Sequence, residues 1–333
     1  EVLNWWKKKK LSFAIVGCGS VSIDHAKMIT KLGHKVILGS TKKKNSKNWK
    51  LFKKKFPSVK FANIDQILNS NNVDMVITCL PLDEQKKNCK KILCSKKPIL
   101  IEKPLHNDEK VLKKILSSKK TFLKNKAIAY NRRNYEIVKK IKKEIKLKKI
   151  KLVEVNISEN INYLKKKYKK DLIKKFLHVG SSSHIFDLLY YLFGNLKILK
   201  KWIHKNSNKF SISLVLITNK NFPIFVKINP SDSENPSIKI RFEDNYTWML
   251  SPIEKLVIYK GNKIIKSNNN YFKKDYVPNA VFSKREQKNL RPGFLNQIKN
   301  FANQNFETLC KPEENYKLIK LFNQIIWKNH SPH

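Results

Sequence analysis

Three short stretches of this sequence combine residue types that can do chemistry together. The first is Gly17-Cys18-Gly19-Ser20-Val21-Ser22, entered from the apolar run Phe13 to Val16 and followed by a helical pattern through Ile23, Ala26, Met28 and Ile29. Glycine at 17 lets a strand turn sharply, and glycine at 19 lets backbone approach a phosphate. The start of the following helix offers an anion free N–H groups and the positive end of a dipole. Ser22 fills the third small position and still allows close packing of helix on strand. The second stretch is Glu102-Lys103-Pro104, at the carboxyl end of the apolar run Pro98 to Ile101. A lysine there, beside a carboxylate and ahead of a proline, is placed to act on a substrate hydroxyl or carbonyl. The third is Gly180-Ser181-Ser182-Ser183-His184, leading to Asp187. A spacing of three puts His184 and Asp187 on one face of a helix whose apolar side is Leu188, Leu189, Tyr191 and Leu192. Each stretch also has a plain structural reading: an ordinary strand-to-helix turn, one more lysine in a lysine-rich chain, a capping or core histidine.

The elements that must position these residues alternate. Gly33 to Thr41 reads as a second strand, Lys47 to Phe56 as a helix, Val59 to Phe61 as a strand and Ile64 to Leu68 as a helical turn. Asn72 to Pro81 is an apolar strand closed by proline, Asp83 to Leu93 a helix, and Lys97 to Leu105 a further strand. Strands and helices in alternation, with short connections, predict a parallel sheet with right-handed crossovers. Ligands of such sheets sit beyond the carboxyl ends of the strands, where Thr78 to Pro81 (with Leu80) and Glu102 to Pro104 fall. The end of the second strand carries Ser40, Thr41 and then Lys42, Lys43 and Lys44 instead of an acid. In a dinucleotide site an acid there binds the ribose 2′-hydroxyl of NAD, so these hydroxyls and ammonium groups favour NADP, with NAD the alternative. The same triplet also reads as a solvated turn.

From Asn134 the pattern changes. A helix from Asn134 to Ile145 and a strand from Ile150 to Ser158 precede the runs Lys209 to Ile217, Phe222 to Ile228, Ser237 to Phe242 and Lys255 to Tyr259. Their apolar/polar alternation predicts an antiparallel sheet with one open face. Arg291 to Phe301 and Pro312 to Trp327 read as two closing helices, the second with Glu313 and Glu314 in its first turn.

With 333 residues, 41% of them hydrophobic, the chain has ample core for one large or two medium domains. No apolar run reaches the length of a membrane span, and the charges of Lys7 to Lys10 follow the apolar residues of the N-terminus, the reverse of a secretory signal. A cytoplasmic location is the expectation. Cys18, Cys79, Cys89, Cys94 and Cys310 show no Cys-x-x-Cys pairing and read as free thiols. The net charge of +46 resembles a nucleic-acid footprint, but only five of the 71 basic residues are arginine and the lysines are spread over the chain. Specific nucleic-acid binding is therefore not expected, only weak adhesion at low salt. The eight histidines show no metal-ligand spacing.

In chain order, Gly17 to Ala26, Val73 to Pro81, Cys94 to Leu105, Tyr130-Asn131-Arg132-Arg133 and His184 to Gly194 together resemble the Gfo/Idh/MocA family of NAD(P)-dependent oxidoreductases. The resemblance implies a Rossmann doubly wound parallel sheet at residues 9–128 and a C-terminal α+β domain with an open, mainly antiparallel sheet at 129–330. It implies a hydride transfer between nicotinamide and a ring carbon of a sugar or nucleotide sugar, in members of surface-polysaccharide pathways among others, and a homo-oligomer. Lys103 is then the catalytic lysine and His184 its proton-transfer or hydroxyl-binding partner. Gly17, Gly19, Ser20, Val21, Ser40, Thr41, Lys42, Leu80, Pro81, Glu102 and Lys103 become the cofactor-binding set. Lys103, Tyr130, Arg132, Ser183, His184 and Asp187 become the substrate-binding set.

Three positions depart from the family pattern. Where an acid usually stands four residues before the histidine and a glycine two before it, this chain has Gly180 and Ser182, and Gln85 stands where a histidine often follows the Thr78 to Pro81 turn. The missing acid leaves open a second reading, a cofactor-binding sensor or assembly protein without turnover.

Overall fold

A computed structural model of the chain describes residues 10–118, 120–160, 162, 165–166, 171–206, 209–230, 233–266, 274–287 and 291–326. The N-terminal charge pattern up to Lys9, and Trp327 at the expected end of the last helix, lie outside them. The chain divides into two compact units, residues 1–134 with Gly293–Tyr316, and residues 135–292 with 317–333.

The first unit is a six-stranded parallel sheet in the order β3-β2-β1-β4-β5-β6. Its strands are β1 (Ser12–Val16), β2 (Lys35–Ser40), β3 (Lys60–Phe61), β4 (Met75–Thr78), β5 (Ile99–Ile101) and β6 (Lys126–Ile128). Phe13 to Val16, Met75 to Thr78 and Ile99 to Ile101 are buried throughout, because a sheet covered on both faces needs apolar side chains on both. The helices between them are α1 (Ser20–Lys31), α2 (Lys47–Lys55), α3 (Ile64–Asn69), α4 (Leu82–Cys94) and α5 (Glu109–Leu116). Strand order reverses between β1 and β4, which opens a crevice at the carboxyl ends of those two strands.

Gly293–Tyr316, expected with the second domain, packs in this first unit. The Phe301 ring lies 6.4 Å from that of Phe13, Phe294 lies 4.8 Å from His25, and the Ile128 amide donates to Cys310 O at 2.7 Å. Arg133, 1% exposed, is held by Glu314 Oε2 at 2.7 Å. Buried Lys126 donates to the carbonyls of Ser95, Lys97 and Phe122 at 2.8 to 3.1 Å, tying β6 to the loop before β5.

The second unit is built on an eight-stranded mixed sheet, β14-β13-β12-β11-β7-β10-β9-β8, in which only β7 and β10 run parallel. The strands are β7 (Ile150–Ile157), β8 (Leu196–Asn206), β9 (Lys209–Thr218), β10 (Pro223–Ile228), β11 (Ser237–Phe242), β12 (Tyr246–Leu250), β13 (Lys255–Lys266) and β14 (Lys274–Arg285). Ile224, Val226 and Ile228 of β10 and Ile238, Ile240 and Phe242 of β11 are buried, whereas Phe225, Lys227, Lys239 and Arg241 alternate with them on the open face. Phe176 packs edge-on against Phe210 at 5.4 Å and Phe193 against Phe222 at 5.6 Å, which seats the helices Leu172–Val179 and Ser182–Phe193 on the buried face. The expected helix from Asn134 starts two residues later, as α6 (Glu136–Glu144), after a 3₁₀ turn at Asn131–Asn134. No helix among the described residues is long and apolar enough to cross a membrane, and no cluster of three or more His, Cys, Asp or Glu there could hold a metal ion.

Candidate active site

The turn from β1 into α1 is shaped by what surrounds it. Gly17 has φ +94°, and a Cβ there would lie 2.4 Å from the carbonyl oxygen of Cys79. Glycine is thus required both by conformation and by the approach of the chain leaving β4. The Gly17 amide donates to Ser40 O at 2.8 Å and the Cys79 amide to Val16 O at 2.6 Å, so the ends of β1, β2 and β4 are pinned together. Gly19, the N-cap of α1, has nothing within 4 Å of where a Cβ would be. No side chain caps α1 and no acid stands in its first turn. Ser22 is fully buried and donates to Gly19 O at 2.5 Å, which explains a serine at the third small position.

Around this turn is a cavity of about 430 Å³. Gly17, Gly19, Ser40, Thr41, Lys42, Leu80 and Pro81, all expected at the cofactor, line it together with Cys18, Ser46, Asn48, Asn63, Cys79, Glu84 and Asn88. Ser20 and Val21 open α1 just beyond the lining. Thr41 Oγ1 donates to Lys43 O at 2.9 Å and accepts from Ser46 Oγ at 3.2 Å, while Ser46 caps α2 by accepting from the Trp49 amide. Lys42 is exposed at the mouth. A carboxylate absent from the end of β2 is present in the lining as Glu84 of α4, whose side chain pairs with Lys87 at 3.3 Å. Burial pushes the Cys18 thiol up to about 12. Burial, and then the charge of Glu102, raises the Cys79 thiol as well. Both thiols are protonated and unreactive at neutral pH.

Glu102 and Lys103 follow β5, outside this lining. The Glu102 amide donates to Thr78 O at 2.8 Å, and the Lys103-Pro104 peptide bond is cis. Glu102 Oε1 is 2.9 Å from Nε2 of His25, whose ring is fully buried on α1 against Phe294. The sequence alone assigns His25 no role. Its signal is position: with Ser22, Ala26 and Ile29 it lies on the buried face of α1, where an unpartnered imidazole would be costly. Gln85, the other departure from the expected pattern, is 1% exposed and accepts from Thr78 Oγ1 at 3.4 Å, while its amide nitrogen is buried with no protein partner.

Residues 11–124 match the model of the Gfo/Idh/MocA oxidoreductase family, described by its NAD-binding Rossmann fold. This part of the chain belongs to that family. As such a Rossmann domain its glycine turn, open space at Gly19 and uncapped α1 fit a dinucleotide pyrophosphate. No curated protein sequence matches the chain. Solved structures share the whole fold at low identity. A dehydrogenase from Chromobacterium violaceum has a TM-score of 0.74 at 9% identity, covering 95% of this chain and 94% of that one. A UDP-N-acetylglucosamine 3-dehydrogenase from Acidithiobacillus ferrooxidans gives 0.69 at 14%, covering 95% and 96%. A myo-inositol dehydrogenase from Corynebacterium glutamicum gives 0.68 at 11%, again covering 95% and 96%.

The expected substrate residues divide between the units. Tyr130 and Arg132 belong to the first unit. Tyr130 is 1% exposed and its hydroxyl accepts from Asn315 at 3.2 Å, whereas Arg132 is half-buried. Ser183, His184 and Asp187 belong to the second unit, on Ser182–Phe193. Ser183 and Asp187 are fully buried, and His184 is half-buried. Ser183 Oγ donates to Gly180 O at 2.8 Å.

Proposed function

We propose that the protein is an NADP-preferring oxidoreductase that moves a hydride between the cofactor and a ring carbon bearing a hydroxyl, on a sugar or nucleotide sugar. The observation that carries this reading is the cavity at the ends of β1, β2 and β4, with an open glycine turn at one side and Ser40, Thr41 and Lys42 at the other. Gly17, Gly19 and the first amides of α1 would hold the pyrophosphate. Thr41, Ser46 and Lys42 would hold the ribose and its 2′-phosphate, with the Glu84 carboxylate screened by Lys87. The bound nicotinamide supplies a two-electron hydride donor or acceptor.

Lys103 takes the proton of the substrate hydroxyl on oxidation and returns it on reduction. Glu102 is fixed by His25, which holds the neighbouring backbone in one place. His184 binds the substrate hydroxyl or relays its proton, and Tyr130, Arg132, Ser183 and Asp187 complete the substrate side as contacts or supports. Two fold neighbours named for myo-inositol and for UDP-N-acetylglucosamine support a polyhydroxylated ring as the substrate class. On this reading the second unit, residues 135–292 with 317–333, forms the substrate domain of a cytoplasmic homo-oligomer that needs neither membrane nor specific nucleic acid.

A panel of inositols, hexoses and UDP-sugars with NADP⁺, followed by cofactor absorbance, tests it. Turnover that falls by roughly 10²- to 10⁴-fold in Lys103→Ala, in protein that still binds NADPH, is the expected result. Turnover unaffected by that change would contradict the role of Lys103.

A further inference from the structure

Glu159 lies two residues past the end of β7, yet its carboxylate sits at the start of the helix Ser182–Phe193. Both of its oxygens are 2.9 Å from the Ser181 amide nitrogen, and Oε2 is 3.4 Å from that of Ser182. The N-cap residue Ser181 makes no side-chain cap, and the first turn holds no acid. The hydroxyls of Ser182 and Ser183 turn back to Phe176 O at 2.5 Å and Gly180 O at 2.8 Å. The anion that complements the positive end of this helix therefore arrives from a strand distant in sequence.

Gly180 makes room for it. Its φ of −64° suits any residue, but an added Cβ would lie 2.7 Å from Glu159 Oε2 and 2.5 Å from Phe176 O. The carboxylate thus occupies the volume that a side chain at 180 would enter. His184 follows within one turn, its amide donating to Ser181 O at 3.0 Å.

We propose that Glu159 is the positioning residue for His184: from the end of β7 it supplies the carboxylate that Gly180 cannot, and by holding the amides of Ser181 and Ser182 it fixes the turn that presents the imidazole. This rests on the proposed function, in which His184 meets the substrate.

The test needs no substrate. Full-length wild type, Glu159→Ala and Glu159→Gln are treated with diethyl pyrocarbonate, and each histidine is quantified by peptide mass spectrometry, alongside NADPH titrations. His184 is expected to react about fivefold faster in Glu159→Ala, the change that loss of a helix cap corresponds to. The increase is smaller in Glu159→Gln, which keeps an acceptor oxygen. Exposed His204, buried His178 and the NADPH affinity stay as in wild type. An unchanged His184 rate in both variants would overturn the proposal, as would a rise shared by all histidines, the mark of general loosening. Should Glu159→Ala fail to fold, a selective rise at His184 in Glu159→Gln supports the proposal and its absence overturns it. Failure of the wild type to bind NADPH would instead strike the oxidoreductase reading, and the histidine comparison would still be readable.

Discussion

At the scale of single residues, the informative contacts are those between a chemical group and the neighbour that holds it. Lys103 could be picked out of the sequence because proline and glutamate flank it at a strand end. The His25–Glu102 contact could not, since its partners are 77 residues apart and only the sheet brings them together. Burial of His25 makes the contact costly to lose, because a hydrogen bond to a carboxylate contributes more than a neutral one. His25→Phe keeps a ring beside Phe294 and removes the bond. It is expected to destabilise the protein by about 1–3 kcal/mol, measured as a lowered urea midpoint. A midpoint equal to wild type would mean that the contact holds nothing in place.

Among the elements, the β1 turn and α1 act as one device. A Cβ at 17 meets the backbone of Cys79, which has no room to move because its amide is bonded to Val16 O. Gly17→Ala must therefore strain the turn or separate β1 from β4. A loss of at least about 2 kcal/mol is expected from the positive φ and the clash together, with NADPH affinity falling more than about tenfold because the pyrophosphate cradle is displaced. Thermal melting and a cofactor titration check both, and a variant with wild-type values would refute the cradle.

This element was legible in the sequence because short, fully apolar strands joined by glycine turns have few other readings. The second sheet was legible only in part. β9 to β11 alternate cleanly, but β12 is only five residues long, β8 exposes Leu199 at 50% and Trp202 at 59% among lysines, and the β13–β14 arms expose Ile264, Ile265 and Tyr276. Their periodicity is short or blurred, so the sequence does not announce β8, β12 and β14 and shows only the start of β13. Glu159 was invisible for the opposite reason. Nothing local to Gly180 announces that a carboxylate from 21 positions upstream fills its space, so a glycine in place of an acid read as a loss.

For the whole molecule, the charge of +46 sets the surface while buried groups set the pH response. His178, 1% exposed and edge-on to Phe322 at 5.2 Å, is pushed down to about 4 by burial, with the charge of Lys174 adding to the shift. An unfolded histidine titrates near 6.5. Between these values the unfolded chain binds a proton that the folded chain refuses, so this stability is present above pH 6.5 and lost as the pH falls towards 4. Its share is roughly 3 kcal/mol at most. Urea midpoints measured from pH 7 to pH 4 should fall in wild type and fall less steeply in His178→Leu. Parallel curves would show that His178 carries none of the acid sensitivity.

The most direct test of the central claim is a fluorescence titration of the full-length chain with NADPH and with NADH at moderate salt. Micromolar NADPH binding, clearly tighter than NADH, is the predicted result and follows from Ser40, Thr41 and Lys42 at the cavity mouth. Tighter NADH would contradict the cofactor choice, and binding of neither would contradict the oxidoreductase reading itself.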